Sequence, residues 1–189
     1  LKGDRINVER VSAVRCIVGV AVTETKQCDV EMEDVSCCYA AFTVSTSGLS
    51  RTDLTMGNQI EITRCTNCEQ VGTFAAGRGN TVHIEHVACH TGWGVAFNAL
   101  GTPFYQVVDN VFSFSTWRRG YIPFAFWKSM RNMIEGGTVD DVECLVSSLP
   151  GQSACNIGNV IRNVDASNHG DLASGFGNAG EYQELLFEN

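Results

Sequence analysis

Carboxylates recur at one position of a short repeated motif. Val30-Glu-Met32-Glu33 and Val82-His-Ile84-Glu85 each place an acidic residue directly after the second of two alternating apolar residues, and Ile6-Asn-Val8-Glu9 does the same. Asp109 follows Val108 and Asp140 follows Val139 in weaker copies. If copies stack as neighbouring strands, Glu85, Asp109 and Asp140 come ~4.8 Å apart on one solvent face. Like charges at that spacing repel, so one carboxyl can keep its proton and serve as a general acid. A pair near ~5 Å suits retaining glycoside hydrolysis, and a wider pair suits inversion. Glu85, Asp109 and Asp140 are therefore the candidate catalytic residues. The competing reading is a solvated acidic face whose charges splay apart.

A second group joins aromatic and basic residues: Trp117-Arg118-Arg119-Gly-Tyr121, running on to Phe124, Phe126 and Trp127, with Trp93 one copy earlier. Aromatic rings cover the flat C–H faces of sugars, and arginine offers paired hydrogen bonds to carboxylate or sulfate. Trp93, Trp117, Arg118, Arg119 and Tyr121 are the candidate substrate-binding residues. The competing reading buries Phe124, Phe126 and Trp127 in a core or against another subunit. His83, Glu85, His86 and His90 lie close in sequence, but strand alternation does not converge them on a metal. Asp165, His169 and Asp171 share only proximity. Cys65-Thr-Asn-Cys68 has metal-ligand spacing without a second such pair. No metal and no cofactor is expected, and no phosphate-binding glycine loop or nucleophile elbow is present.

The elements that must position these groups repeat. The second apolar positions are 8, 32, 62, 84, 108, 139 and 161, with spacings of 24, 30, 22, 24, 31 and 22. Each copy continues to a second apolar stretch, such as Gly19-Val-Ala-Val22, Phe42-Thr-Val44 or Gly94-Val-Ala-Phe97, and then to a Gly/Asn-rich turn. Short strands, frequent turns and no long amphipathic helix predict an all-β solenoid. The expected fold is a right-handed parallel β-helix of about seven to eight coils, a single domain over 1–189, with insertions near 45–56 and 117–135. Arg10, Asp34, Arg64, His86, Asn110, Asp141 and Asn163 precede the third apolar position. Asn and Asp tolerate the left-handed backbone of a sharp corner, and Asn110 and Asn163 are the best candidates. In these columns Cys65 stacks with Val35 and Val87. Cys37, Cys89 and Cys144 share a second column, and Cys38 and Cys68 a third.

Composition narrows the function. Thirteen basic residues against 21 acidic give a net charge of −8, which disfavours nucleic acid and anionic membranes. No apolar run reaches the ~18 residues of a membrane span, and no signal-peptide pattern opens the chain. Nine cysteines, an odd number with Cys37 and Cys38 adjacent, argue for free thiols and folding in a reducing compartment. The chain reads as a piece of a longer protein.

The coil openings quoted above, with Asn110 and Asn163 at corners, carry a resemblance to the pectate-lyase-like superfamily of right-handed parallel β-helices. Within it the chain looks most like bacteriophage tailspike and tail-fibre proteins, over about residues 6–178. The resemblance implies polysaccharide as the substrate class and brings no catalytic signature with it. It implies a virion tail protein, folded in the host cytoplasm and homotrimeric, that recognises and in some members depolymerises a host surface polysaccharide. A non-catalytic stem of a trimeric appendage, and an extracellular cellular lyase, hydrolase or epimerase, are the alternatives.

Overall fold

A computed structural model describes residues 3–46, 55–98, 107–127, 129–147, 156–174 and 183–188. Among them there is no helix, and every strand pairing is parallel. The chain returns every 22 to 30 residues to lay a strand beside the previous circuit. Three ladders result. The first is built on Asn7–Val14, Asp29–Ser36, Gln59–Thr66, Thr81–Ala88 and Val111–Gly120 and continues through Met133–Glu135 and Asn156–Arg162. The second runs through Val18–Thr23, Ala40–Ser45, Gln70–Phe74, Trp93–Asn98 and Ile122–Trp127. The third consists of two-residue strands such as Gly77–Arg78, Val107–Val108 and Ser129–Met130.

Alternation on these strands feeds one large apolar cluster. In the first ladder Val30, Ile60, Val82, Phe112, Ile134 and Ile161 stack in register and are all buried. In the second, Phe74, Phe97 and Phe126 stack face to face at 4.8 and 5.1 Å. Each such pair adds ~0.5–1.5 kcal/mol beyond its burial. Gly72 makes room for this core, because a Cβ there would run into the Phe42 ring.

The register corrects four expectations. Residues 117–135 hold no insertion: Val111–Gly120, Ile122–Trp127 and Ser129–Met130 sit in register with their neighbours, and the next first-ladder strand arrives 22 residues on (Val111↔Met133). The expected insertion near 45–56 falls in a longer circuit (Asp29↔Gln59), and residues 47–54 lie outside the described residues. Val108 and Val139 do not share the column of Ile84. Phe114 pairs with Ile84, Val108 belongs to the third ladder, and Val139 pairs with Trp117. Val8 is displaced too, since it pairs with Val30 and Val11 with Met32. Cys144 leaves the column of Cys37 and Cys89, lying two residues before Val146, which pairs with Phe124.

The corners are left-handed, at other residues than most of those expected. Arg10, Asp141 and Asn163 have positive φ, whereas Asp34, Arg64, His86 and Asn110 do not. One column of positive φ is Gln27, Gly57, Gly79, Asp109, Arg131 and Gly158. The residue after each is Cys28, Asn58, Asn80, Asn110, Asn132 and Asn159, all buried. These five asparagines form a ladder. The Asn80 N–H donates to Asn110 Oδ1 at 3.0 Å, and the Asn110 N–H donates to Asn132 Oδ1 at 3.0 Å. Asn110 Nδ2 donates to the Gly77 carbonyl at 3.1 Å and to Asn132 Oδ1 at 3.1 Å.

Removing one rung leaves buried donors without acceptors, at ~1–3 kcal/mol each. Asn110→Ala is expected to lower unfolding stability by about 3 kcal/mol. Asn7→Ala, at an exposed side chain bonded among the described residues to Glu9, should change it by less than ~0.5 kcal/mol. Chemical denaturation of both variants checks the contrast.

Candidate functional site

The three candidate catalytic carboxylates do not stack. Glu85 is exposed on the first ladder, between residues that pair with Ile62 and Arg64, and its Oε1 is 3.5 Å from His86 Nε2. Asp109 occupies a left-handed corner beside the third ladder. Asp140 pairs in register with Arg118 and Ser167. The column reading fails because Val108 and Val139 imitate Ile84 in sequence while standing elsewhere in the circuit.

The two aspartates also have the electrostatics of ionised groups. Arg131 holds Asp109 with Nε–Oδ1 2.7 Å and Nη2–Oδ2 3.0 Å, and Arg78 Nε lies 3.3 Å from Oδ2. The Arg131 hydrogen bonds, with Coulombic help from both arginines, hold the Asp109 carboxyl below its usual range. Asn168 Nδ2 at 2.7 Å and Ser167 Oγ at 3.0 Å lower Asp140 likewise. A general acid needs the opposite shift. Asp109 is the central charge of a corner ion-pair network across three circuits.

The histidines do not converge. His83 Nδ1 meets Ser113 Oγ and His86 Nδ1 meets Thr116 Oγ1, both at 2.9 Å in the next circuit. His90 turns into the interior, where its Nδ1 lies 3.0 Å from the Gly92 carbonyl and its ring packs edge-on to Trp117 at 5.1 Å. Gly120 clears space for it, since a Cβ there would strike the imidazole. Burial lowers the His90 pKa to about 4. His169 Nδ1 lies 3.2 Å from the Gly170 carbonyl, and the Asp171 side chain lies outside the described residues. Cys65 and Cys68 are both buried, and the hydrogen bond with Cys68, with burial, pushes the Cys65 thiol well up. Among the described residues no group of three or more His, Cys, Asp or Glu is placed to hold a metal ion.

The candidate binding residues divide. Trp117 is fully buried, pairing with Val87 and Val139 in the core. The inward positions of its strand are Phe112, Phe114 and Trp117, so it offers no face to a ligand. Arg118 and Arg119 are exposed. Arg119 Nε lies 3.7 Å from Asp141 Oδ2, and Arg118 faces Asp140, so each has a carboxylate beside it.

Trp93 and Tyr121 do come together. Trp93 is half-buried and Tyr121 is exposed, with ring centroids 6.3 Å apart. Trp93 also meets Trp127 edge-on at 5.1 Å. Trp127 packs with Ala96 and Ala125 in a second apolar cluster, separate from the main core. The strand Ile122–Trp127 is buried on both faces: Phe124 and Phe126 serve the core, and Ala125 and Trp127 the second cluster. The Trp127 indole N–H is buried, with no partner among the described residues.

Sequence reasoning missed the extension of this patch. Gln70 pairs with Ala40, and its Nε2 reaches the hydroxyl of exposed Tyr39 at 3.4 Å. Tyr39, Gln70, Trp93 and Tyr121 thus occupy four successive circuits at the same edge of the second ladder. Three steps of ~4.8 Å make the strip about 14 Å long. Gln70 and Trp93 open their strands and Tyr39 and Tyr121 directly precede theirs, so a large polar or aromatic residue at the start of each second apolar stretch is the signal that would have found it. A separate shallow depression of about 280 Å³ on the first ladder is lined by Arg10, Glu31, Met32, Glu33, Glu61 and Thr63.

His90 gives a pH signature. Its folded pKa lies below the ordinary 6.5, so the unfolded chain binds the proton first as pH falls. Stability present above pH 6.5 should be lost progressively down to about 4. Denaturation midpoints across that window should fall in the wild type. In His90→Gln the part of the slope due to this proton should vanish; an unchanged slope would assign it elsewhere.

No protein-family model, no curated protein and no solved structure matches the chain.

Proposed function

We propose that the chain is a right-handed parallel β-helix from a phage tailspike or tail fibre, and that it recognises a host surface polysaccharide along the Tyr39–Gln70–Trp93–Tyr121 strip. The observation that carries this reading is the patch itself. Aromatic and amide side chains recur at the same edge of four circuits, on a ladder whose inner face is locked by stacked phenylalanines. A polymer laid along the stack would meet a hydrogen-bonding or ring-stacking group at every step. The eight described cysteines, all free, accord with folding in a reducing host cytoplasm, and the reading includes the homotrimer usual for such appendages.

The proposal is recognition rather than cleavage. Glu85, Asp109 and Asp140 are dispersed, and the two aspartates are held ionised. Arg118 and Arg119 flank the strip with their charge largely answered by Asp140 and Asp141.

Affinity electrophoresis through gels containing bacterial capsular and O-antigen polysaccharides tests this. At least one polysaccharide should retard the protein, and Trp93→Ala with Tyr121→Ala should weaken binding tenfold or more, about 1.4 kcal/mol, while leaving circular dichroism unchanged. No new reducing ends should appear. Retardation that survives the double substitution would move the site elsewhere. No retardation by any polymer would favour the non-catalytic stem, and cleavage abolished by Glu85→Gln would restore the depolymerase.

A further inference from the structure

The first circuit is the least covered part of the described stack. Among the described residues its strands Asn7–Val14 and Val18–Thr23 pair with Asp29–Ser36 and Ala40–Ser45. Val11, Val14 and Ile17 are exposed, Ile17 by 79%. Cys16 lies between those two strands and is exposed as well.

Counting back from the Val18↔Ala40 pair, Cys16 stands directly opposite Cys38. The Tyr39 N–H bonds the Cys16 carbonyl at 3.1 Å, which confirms the register on the other side. The Cys16 N–H donates to Cys38 Sγ at 3.4 Å, so the Cys38 sulfur already points at residue 16. Neighbouring strands sit ~4.8 Å apart, inside the ~4.4–6.8 Å Cα window of a disulfide. Cys38 itself is buried, at 3% exposure, and burial pushes its thiol up. The pair is therefore asymmetric: one sulfur faces solvent, and the other waits behind it.

We propose that Cys16 and Cys38 are an oxidisable pair that closes a disulfide between the first and second circuits when the protein meets a small-molecule disulfide. The Cys16 thiolate attacks one sulfur of that disulfide and expels a small thiol, leaving a mixed disulfide on Cys16. The Cys38 thiol gives its proton to solvent and attacks the Cys16 sulfur, and the second small thiol leaves. Two protein thiols are oxidised and the reagent disulfide is reduced to two thiols. The bond links the first two described circuits on passage from a reducing to an oxidising environment. This inference does not depend on glycan binding.

The competitor on the surface is Cys37. It is exposed and holds a left-handed corner one residue before Cys38, where it stands opposite Arg15 rather than Cys16. The test is incubation of the folded, fully reduced protein with oxidised glutathione, followed by intact mass and peptide mapping without reduction. The expected product has lost two hydrogens and links Cys16 to Cys38. Cys37→Ser should give the same link, and Cys16→Ser should stop it. Protease digestion should release the first circuit more slowly from the oxidised protein than from the reduced one. A product carrying one glutathione on Cys16, or a link from Cys16 to Cys37, overturns the proposal. So does a Cys38→Ser variant that folds and still loses two hydrogens at Cys16.

Discussion

The structure depends on how its sharpest corner satisfies buried backbone. Between the third and first ladders the chain turns through one left-handed residue and re-enters the core, where main-chain donors cannot reach water. The asparagines solve this as a connected set. Each Oδ1 from Asn80 to Asn159 accepts both the backbone N–H and the Nδ2 of the asparagine one circuit before, and each Nδ2 from Asn58 to Asn132 reaches back to a carbonyl as well. A slip of one residue would break every rung, so the ladder fixes the register of the strands that follow it. That register decides which side chains become the phenylalanine stack and which reach solvent.

Thiols perform a weaker version of the same task at the other corner. The column Arg15, Cys37, Asn67, Cys89, Arg119 and Asp141 has positive φ, and the residues after the first four are Cys16, Cys38, Cys68 and His90. Cys38 Sγ contacts the Ala13 carbonyl and Cys68 Sγ the Val35 carbonyl, across 25 and 33 residues. Asn80 and Asn58 reach Thr55 and Thr25 across the same separations. A sulfur has one weak donor where an amide has two strong ones. Cysteine here is a small apolar wedge that tolerates a corner, and its abundance follows from that position rather than from metal binding. Cys28 closes the asparagine ladder in the same manner, accepting the Ile6 N–H at 3.3 Å.

This logic explains what the sequence showed and what it hid. The copies at Val30, Ile60 and Val82 were legible because aliphatic residues alternate with charges, and their strands pair as expected. The next circuits were not, because Phe112-Ser-Phe114 carries the same inward positions in aromatic form. Val108-Asp-Asn-Val111 meanwhile offers the right spacing across a corner. Asn110 stood out correctly as a corner residue but for the wrong conformation: Asp109 takes the left-handed backbone, and Asn110 supplies the buried amide. The candidate carboxylates inherited that misalignment. The placement of Trp93 and Tyr121 did not depend on that misalignment, because Trp93 opens a second-ladder strand that pairs with Ile122 and Tyr121 directly precedes Ile122.

The surface strip is a consequence of the interior rather than an addition to it. Once the asparagines set the register, residues at or just before the start of each second-ladder strand come to one edge, spaced by the distance between strands. The depression on the first ladder, about 280 Å³, is open and shallow, and it does not enclose a small molecule as a deep cleft would. A ladder of this kind has little to offer a compact ligand beyond one rung. An extended polymer gains from every rung it crosses, and rungs fixed in advance by a rigid core add binding surface without ordering costs of their own.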